Sequence, residues 1–314
     1  MIKRKTVLVL GAGASKPYGL PTGLELRGLI RAMRDIQADD MRTPIFEACG
    51  VRWADVGTIA QNFRDSGVMS IDAYLEKHAE LVEAGKVMMA RELCRLENPK
   101  EVVGQANDHW YEYLWHHMHP GLTDPHEVSR NQIRILTFNY DRSLEFFLYT
   151  AIKSTFRISD EAALAAMQRL PIEHVYGQVG PFHFADSATA RAYRRELSTE
   201  GLRLAADGLK IVPDARRDDP VFKSARDWFR WADDICFLGF GFDPTNCERL
   251  GLKDIVQERR ARLESAPRIF ASVHGLTPAE VETARTRTTD ADWGPRDFHN
   301  LMALRHTDLF QWTQ

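Results

Sequence analysis

The stretch that most constrains the fold is VLVLGAGASKPYGLPTG, residues Val7–Gly23. Val7–Leu10 is a short apolar run, which is typical of a buried strand, and Gly11-Ala12-Gly13 follows at once. Two glycines at this place let the backbone approach a phosphate group, and the start of a following helix adds partial positive charge. Tight packing would also explain such a turn, so the turn alone leaves both interpretations open.

The residues after this turn depart from the glycine fingerprint of dinucleotide-binding turns. In G-x-G-x-x-G the third glycine allows close packing of the helix that follows, but Lys16 stands there and Pro17 comes next. Thr22 and Glu25 have the spacing of a capping box, so we expect the helix to begin only after Thr22. Either the fingerprint is defective or this loop holds a nucleotide in another way.

Strand and helix patterns alternate over residues 1–35 and again over residues 130–314. Short β-rich apolar runs begin at Ile133, Ile172, Ile235 and Arg268, and helical patterns separate them. Such alternation predicts an α/β fold with a doubly wound, mostly parallel sheet. From about residue 38 to 123 the apolar residues fall at helical spacing instead. We therefore expect one domain over residues 1–314 with a helical insertion at about 38–123.

Composition excludes several classes of protein. Forty-one basic and 44 acidic residues give a net charge of −3, which provides no general attraction to nucleic acid or to an anionic membrane. The basic cluster Arg191–Arg195 is expected to form a solvated helix face. No apolar run approaches the roughly 18 residues of a membrane helix, and the N-terminal run is too short for a secretory signal.

The cysteines indicate neither a zinc site nor a disulfide framework. None of the four forms a C-x-x-C pair. A reducing, cytoplasmic location is therefore expected, and so is the absence of a bound metal. The four are Cys49, Cys94, Cys236 and Cys247.

Polar side chains follow the second predicted strand. In TFNYD, residues 137–141, Asn139 and Asp141 close an otherwise apolar run. In parallel sheets, ligands bind beyond the carboxyl ends of the strands, so both side chains are candidates for contact with a ligand. Either of them could instead cap the helix predicted to begin near Arg142.

The third predicted strand continues through HVYGQ, so His174, Tyr176 and Gln178 are expected to project from one face. A lone histidine is more often structural, but a histidine near a strand end, with an Asn/Asp pair at a neighbouring strand end, suits acid–base work.

A second Gly-x-Gly follows the strand that begins at Ile235. Gly239 and Gly241 suit close approach to a ribose or an adenine, and Asn246 could bind a sugar hydroxyl or cap the next helix.

These four segments together resemble those of the sirtuin-like NAD-consuming enzymes. G-A-G-A-S followed by Gly19-Leu20-Pro21 resembles the sirtuin G-A-G-x-S…G-I-P segment, and T-F-N-Y-D resembles the sirtuin Q-N-x-D motif. H-V-Y-G lies where the family has H-G, and Gly239–Phe242 lies where it has its G-T-S ribose loop. The resemblance extends from Val7 to about Val273.

The sequence departs from the sirtuin deacylases in three places. It cannot build their four-cysteine zinc module, and Thr22-Gly23 replaces the residues that cover the nicotinamide ribose. Tyr176 stands directly before the glycine, where the family places its histidine, so that role is carried to His174. With a helical insertion in place of the zinc module, the chain is similar to bacterial sirtuin-like proteins of anti-phage defence.

This resemblance implies that the protein hydrolyses NAD to nicotinamide and ADP-ribose. It further implies that the resulting loss of cellular NAD serves anti-phage defence by abortive infection. It implies that Asn139 orients the attacking water or a ribose hydroxyl, that Asp141 binds the carboxamide and that His174 is the general base. The residues implied to bind NAD are Gly11, Ala12, Gly13, Ser15, Pro21, Gly239, Gly241, Phe242 and Asn246.

Other functions stay open. The runner-up is a sensor or regulatory subunit that binds NAD or ADP-ribose without turnover; a protein deacylase and an NAD-dependent dehydrogenase follow. A homo-oligomer is expected, as is a partner ATPase or a nucleic-acid-sensing defence protein. The expected oligomer rests partly on the helical insertion, which carries more aromatic residues than one amphipathic helix face needs. These residues are Trp110, Tyr111, Tyr113 and Trp115.

Overall fold

The computed structural model describes residues 1–35, 44–104, 109–195, 197–211, 219–289, 297–298 and 309. A six-stranded sheet lies at its centre, and every described strand pair is parallel. This arrangement, with helices on both faces, confirms the predicted α/β class. In spatial order the strands are β3 (Ile172–His174), β2 (Ile133–Thr137), β1 (Thr6–Leu10), β4 (Asp234–Leu238), β5 (Arg268–Ser272) and β6 (Asp297–Phe298).

The pairing register aligns the carboxyl ends of β1, β2 and β4. Leu10, the last residue of β1, pairs with Thr137 of β2 on one side and with Leu238 of β4 on the other. The loops that follow these strands therefore begin side by side. All five residues of β1 are buried, as a continuous apolar run in a parallel sheet predicts.

The helices account for most of the remaining described chain. The predicted capping box is confirmed, since the Thr22 hydroxyl accepts from the Glu25 N–H and Glu25 accepts from the Thr22 N–H. Within the described ranges, no helix combines the length and the apolar character needed to cross a bilayer. The helices are α1 (Gly23–Ala32), α2 (Pro44–Ala48), α3 (Trp53–Asp65), α4 (Ile71–Leu75), α5 (Val82–Leu96), α6 (Pro99–Val102), α7 (Trp110–Met118), α8 (Ser143–Phe156), α9 (Asp160–Met167), α10 (Thr199–Asp207), α11 (Pro220–Trp231), α12 (Pro244–Leu250), α13 (Leu252–Ala261) and α14 (Pro278–Thr288), with 3₁₀ turns at Ala12–Ala14, Lys16–Tyr18, Met33–Asp35, Ala79–Leu81 and Pro125–Arg130.

Two apolar cores flank the sheet, and a third lies in the helical part. Successive residues of a strand face opposite ways, so Leu8 and Leu10 pack with α7, α8 and α9, whereas Val7 and Val9 pack with α11, α12, α13 and α14. The third core joins α1, α3, α4 and α5 to α10.

The segment predicted as a helical insertion divides between two layers. Its predicted start, Ala38, lies outside the described residues, but α3, α4 and α5 pack together beside the sheet, with α10 from far downstream packed on α5. In contrast, α7 packs on the sheet against α8. Trp110, Tyr111 and Trp115 are buried there, so these aromatics are accounted for by contacts within the chain.

The prediction of a solvated helix face at Arg191–Arg195 is wrong. This segment is irregular, and the Arg191 guanidinium is buried against Glu97, with Nη2 to Oε2 at 2.8 Å. Arg142 donates to the other oxygen of Glu97 at 2.7 Å, and both of these side chains are fully buried. A carboxylate buried between two guanidinium groups requires such pairing, because burial of an unpaired charge is costly.

Candidate active site

A cleft of about 440 Å³ opens beyond the carboxyl ends of β1, β2 and β4. This is where ligands bind in open parallel sheets, and the volume lies within the range of small-molecule sites. The loops after the three strands form most of it, and α4 supplies a further wall. Of the residues predicted to act on or bind NAD, those that line the cleft are Gly11, Ala12, Pro21, Asn139, Asp141, Gly241, Phe242 and Asn246.

A second cavity, next to this cleft, holds about 10 Å³, which is close to the space of a single water molecule. Asn139 and Asp141 line both spaces, whereas Ser15 and His174 line only the small one. The structure therefore brings together all three predicted catalytic side chains, but it places His174 behind the cleft. Seven of the ten residues that line the small cavity carry polar groups, namely Ser15, Tyr111, Thr137, Asn139, Asp141, Glu145 and His174.

Asn139 is held by the glycine turn that it faces. Its Nδ2 donates to the Gly11 carbonyl oxygen at 3.0 Å and to the Ser15 hydroxyl at 2.9 Å. These bonds use both amide hydrogens and fix the orientation of the side chain. The Asn139 Oδ1 atom is buried and has no hydrogen-bond partner among the described residues. Because a buried acceptor without a partner is costly, this oxygen is the strongest local sign of a missing ligand.

His174 forms a buried ion pair. Its Nε2 lies 2.5 Å from Oε1 of Glu145, and its Nδ1 lies 2.9 Å from the Asn139 carbonyl oxygen. Burial alone would lower the pKa of His174, but the Glu145 carboxylate and the Asn139 carbonyl outweigh it, so the pKa is raised above its ordinary value. A charged imidazolium can donate to both oxygens, and in this arrangement neither ring nitrogen faces the cleft.

Asp141 lies one residue before Arg142, the N-cap of α8, and holds Ser143, the first residue of that helix. Its Oδ1 accepts from the Ser143 N–H at 3.0 Å and from the Ser143 hydroxyl at 2.5 Å. Burial raises the pKa of Asp141, although these hydrogen bonds oppose the rise. The Tyr111 hydroxyl lies 2.7 Å from that of Ser143, so α7 supports the same network. Asp141 also lines the cleft and can meet a ligand there.

The two glycine turns are packed against each other. Gly13 donates its N–H to the Gly239 carbonyl at 3.0 Å. A Cβ on Gly239 would lie 2.1 Å from the Ala14 nitrogen, and one on Gly11 would lie 2.5 Å from the Gly239 oxygen. Tight packing, which the sequence left as an alternative for the first turn, therefore explains Gly11 and Gly13, and the same contact explains Gly239. Gly13 and Gly239 lie outside the lining of the cleft.

Gly241 is different from these three glycines. It lines the cleft, and a Cβ built on it would meet no atom within 4 Å in the described structure. Phe242 follows with φ of 50°, a conformation that is uncommon for a bulky residue. Asn246 accepts from the Tyr176 hydroxyl, which also accepts from Arg249 at 3.0 Å. The cleft end near α12 is thus polar and organised.

The expectation that His174, Tyr176 and Gln178 share one strand face is wrong. Strand β3 ends at His174, and Gly177 turns the chain with φ of 70°. The period-two rule holds only while a strand continues. As a result, His174 enters the small cavity, whereas Tyr176 lines the large cleft.

Several site residues were not found from the sequence. Glu145 lies inside α8, where its polar side chain resembles any other on a helix, and it contacts His174 across 29 positions. Tyr111 and Asp72 come from the helical part and reach the site only through the fold. Within the described ranges, no three His, Cys, Asp or Glu side chains converge as metal ligands would.

The chain matches none of the protein-family models compared with it, and no curated protein matches it.

Proposed function

We propose that the protein hydrolyses NAD at the bond between nicotinamide and ribose, releasing nicotinamide and ADP-ribose. The observation that carries this proposal is the buried, unpartnered Oδ1 of Asn139, a residue that lines both the cleft and the small cavity next to it. A ribose hydroxyl or a water molecule would give this oxygen the donor that it lacks. The motif resemblance named above supplies the choice of NAD.

The chemistry suits a site of this kind. Nicotinamide leaves NAD as a neutral ring from a cationic one, so no acid is needed to protonate it. The protein has to hold the dinucleotide, exclude bulk water and orient the group that attacks the ribose. Proximity and preorganised polar contacts are the means by which such a site lowers the barrier. Asn139 would orient that group, and Asp141 would contact the carboxamide.

The binding residues follow from the same placement. Gly11, Ala12 and Pro21 line the cleft on the β1 side, and Gly241, Phe242 and Asn246 line it on the β4 side. An extended dinucleotide laid across β1 would contact both groups. Gly13, Ser15 and Gly239 would then act indirectly, since Gly13 and Gly239 pack the two turns together and Ser15 accepts from the Asn139 amide.

We assign His174 a positioning role in this reaction, in place of the predicted role as general base. Both of its nitrogens are engaged, one by Glu145 and the other by the Asn139 carbonyl. It would act by fixing the backbone of the residue that contacts substrate.

The test is release of nicotinamide from NAD by the purified protein, measured by chromatography. Asn139→Ala is expected to lower the rate by at least about 100-fold, in the range for loss of one preorganised polar contact. Asn131→Ala is the matched control, because Asn131 is equally buried and makes three hydrogen bonds far from the cleft. An Asn139→Ala protein that stays folded and retains full activity would refute the proposal.

The resemblance further suggests that turnover depletes NAD during anti-phage defence, triggered by phage or by a partner protein. Induced expression in bacteria, with cellular NAD measured before and after phage infection, tests this. NAD that falls only on infection, and not in cells with Asn139→Ala, supports it. NAD that stays constant in both contradicts it.

A non-catalytic NAD or ADP-ribose sensor is the second candidate. The engagement of both His174 nitrogens within the protein favours it. Calorimetry that shows tight NAD binding while no nicotinamide is released, with and without infected-cell extract, would favour the sensor over the hydrolase.

A further inference from the structure

Because neither ring nitrogen of His174 faces the cleft, another group has to take the proton of the attacking water. Carboxyl groups line the cleft at Asp72, Glu76, Asp141 and Asp243. Three of them are unsuited. Asp141 accepts two hydrogen bonds from Ser143. Asp243 is exposed and caps α12, and Glu76 is exposed at the end of α4.

Asp72 remains, and it is partly buried in the wall that α4 contributes. Its Oδ1 accepts from the Tyr140 hydroxyl at 2.8 Å, and its Oδ2 accepts from the Ser70 hydroxyl at 3.3 Å. A carboxylate has about four acceptor positions, so each oxygen keeps one for a further donor. The two hydroxyls fix the carboxylate and leave it able to accept.

Asp72 is also tied to the residue beside Asn139. Tyr140 directly follows Asn139 in the chain, and its hydroxyl joins this strand end to α4. Asn139 and Asp72 therefore line the same cleft from two different elements, and the unpartnered Oδ1 of Asn139 is an independent sign that a ligand binds beside Asn139.

The surroundings of Asp72 raise the pKa of its carboxyl group above the ordinary value. Burial raises the pKa of Asp72, and the hydrogen bonds from Tyr140 and Ser70 partly oppose the rise. The groups that face it are Tyr140 from the loop after β2, Tyr176 from the loop after β3, and Glu76 one turn along its own helix. A general base works best when its pKa lies near the working pH.

We propose that Asp72 is the general base of the NAD hydrolysis proposed above, on which this inference rests. A water molecule attacks C1′ of the nicotinamide ribose, and the C1′–N bond breaks with its electron pair passing to the ring nitrogen. The water proton goes to the Asp72 carboxylate, which later releases it to solvent. NAD⁺ and water thus give ADP-ribose, nicotinamide and one proton.

The first test is Asp72→Asn, which keeps the size of the side chain and removes its basicity. We expect kcat to fall by at least about 100-fold, while the dissociation constant for NAD, measured by calorimetry, changes less than about threefold. With Asp72 as the base, kcat of the unmodified protein should rise with pH as the carboxyl group loses its proton, and this rise is expected to be absent in Asp72→Asn. Asp65→Asn is the matched control, since Asp65 is an exposed carboxylate of α3 that lies outside the lining of the cleft.

Tyr140→Phe gives a second readout that loss of folding cannot imitate. Removing the hydroxyl removes a hydrogen bond that favours the charged carboxylate, so the rising limb of the pH profile is expected to move to higher pH. Full activity of Asp72→Asn, or an unmoved limb in Tyr140→Phe, would overturn the role of Asp72. Neither result bears on the hydrolase itself, which is tested separately by nicotinamide release from the unmodified protein, with its trigger, and from Asn139→Ala.

Discussion

The imidazole of His174 lies between the carboxylate of Glu145 and the backbone carbonyl of Asn139, at 2.5 Å and 2.9 Å. Strand β3 and helix α8 are thereby joined behind the residue that carries the proposed chemistry. Both side chains of the pair are about nine-tenths buried. A pair in this position stabilises the fold and fixes the Asn139 backbone at once.

Glu145→Gln is expected to destabilise the protein by about 3 kcal/mol, because it leaves the buried imidazole without its charged partner. The pKa of His174 is raised in the folded protein, so its contribution is fully present below the unfolded pKa of about 6.5. It is lost as pH rises through the raised folded pKa. Urea unfolding from pH 6 to pH 9 should therefore show the effect of Glu145→Gln shrinking as pH rises. Glu112→Gln is the control, because the Glu112 carboxylate is exposed and lies 3.7 Å from Nδ1 of His109, and it should change stability little at any pH. A loss of unfolding free energy in Glu145→Gln that stays constant with pH would contradict the assignment of His174 as the charged partner of Glu145.

Glu97→Gln is expected to cost about 3–5 kcal/mol, since it removes the carboxylate that two buried guanidinium groups share. Through Glu97, Arg142 and Arg191 tie the end of α5 and the irregular segment 181–195 to the start of α8. Limited proteolysis should therefore cut segment 181–195 faster in this variant than in the unmodified protein. Glu282→Gln, whose carboxylate is exposed, should leave both stability and cleavage rate unchanged. Equal rates of cleavage of segment 181–195 in Glu97→Gln and Glu282→Gln would refute the role of Glu97 in holding that segment.

The features that the sequence predicted well are those set by short stretches of chain. The strand Thr6–Leu10 follows from its unbroken apolar residues, and the capping box at Thr22 follows from a three-residue spacing. The carboxyl-end placement of Asn139 followed from the strand pattern as well. Each depends on local physics that a neighbour cannot easily override.

The features that it did not predict depend on distant partners. Nothing near Glu145 marks it as the partner of His174, and nothing near Asp72 marks it as a cleft residue. The shared face expected for His174 and Tyr176 failed because β3 stops early, at a turn where a Cβ on Gly177 would lie 2.0 Å from the Gly208 oxygen. Gly177 packs there against Gly208, the residue that follows α10, and this distant contact is not contained in the local pattern.

Cys49 is expected to be the thiol that reacts first with Ellman's reagent. It is half-buried, whereas Cys94, Cys236 and Cys247 are buried, and burial raises the pKa of Cys94 and of Cys247 to about 12. The thiolate is the reactive form. About one thiol should react quickly in the native protein and four in denaturant, and Cys49→Ser should remove the fast phase. Two or more fast thiols in the native protein would contradict the burial described.

Gly239→Ala is expected to destabilise the fold, whereas Gly241→Ala is expected to weaken NAD binding, although a single residue separates the two positions. Gly239 has φ of 57°, and a Cβ there would lie 2.1 Å from the Ala14 nitrogen. Neither backbone can yield without opening the two turns, so Gly239→Ala should cost at least about 2 kcal/mol in urea unfolding.

At Gly241 a Cβ meets no described atom within 4 Å, so Gly241→Ala should leave stability within about 0.5 kcal/mol. The new methyl group would occupy the cleft itself. If a dinucleotide lies against this glycine, the dissociation constant for NAD should rise about tenfold or more, which is a loss of about 1.4 kcal/mol. Calorimetry on the two proteins measures this directly. A Gly241→Ala protein that binds NAD as tightly as the unmodified chain would place the ligand elsewhere in the cleft, because no structural cost obscures the comparison.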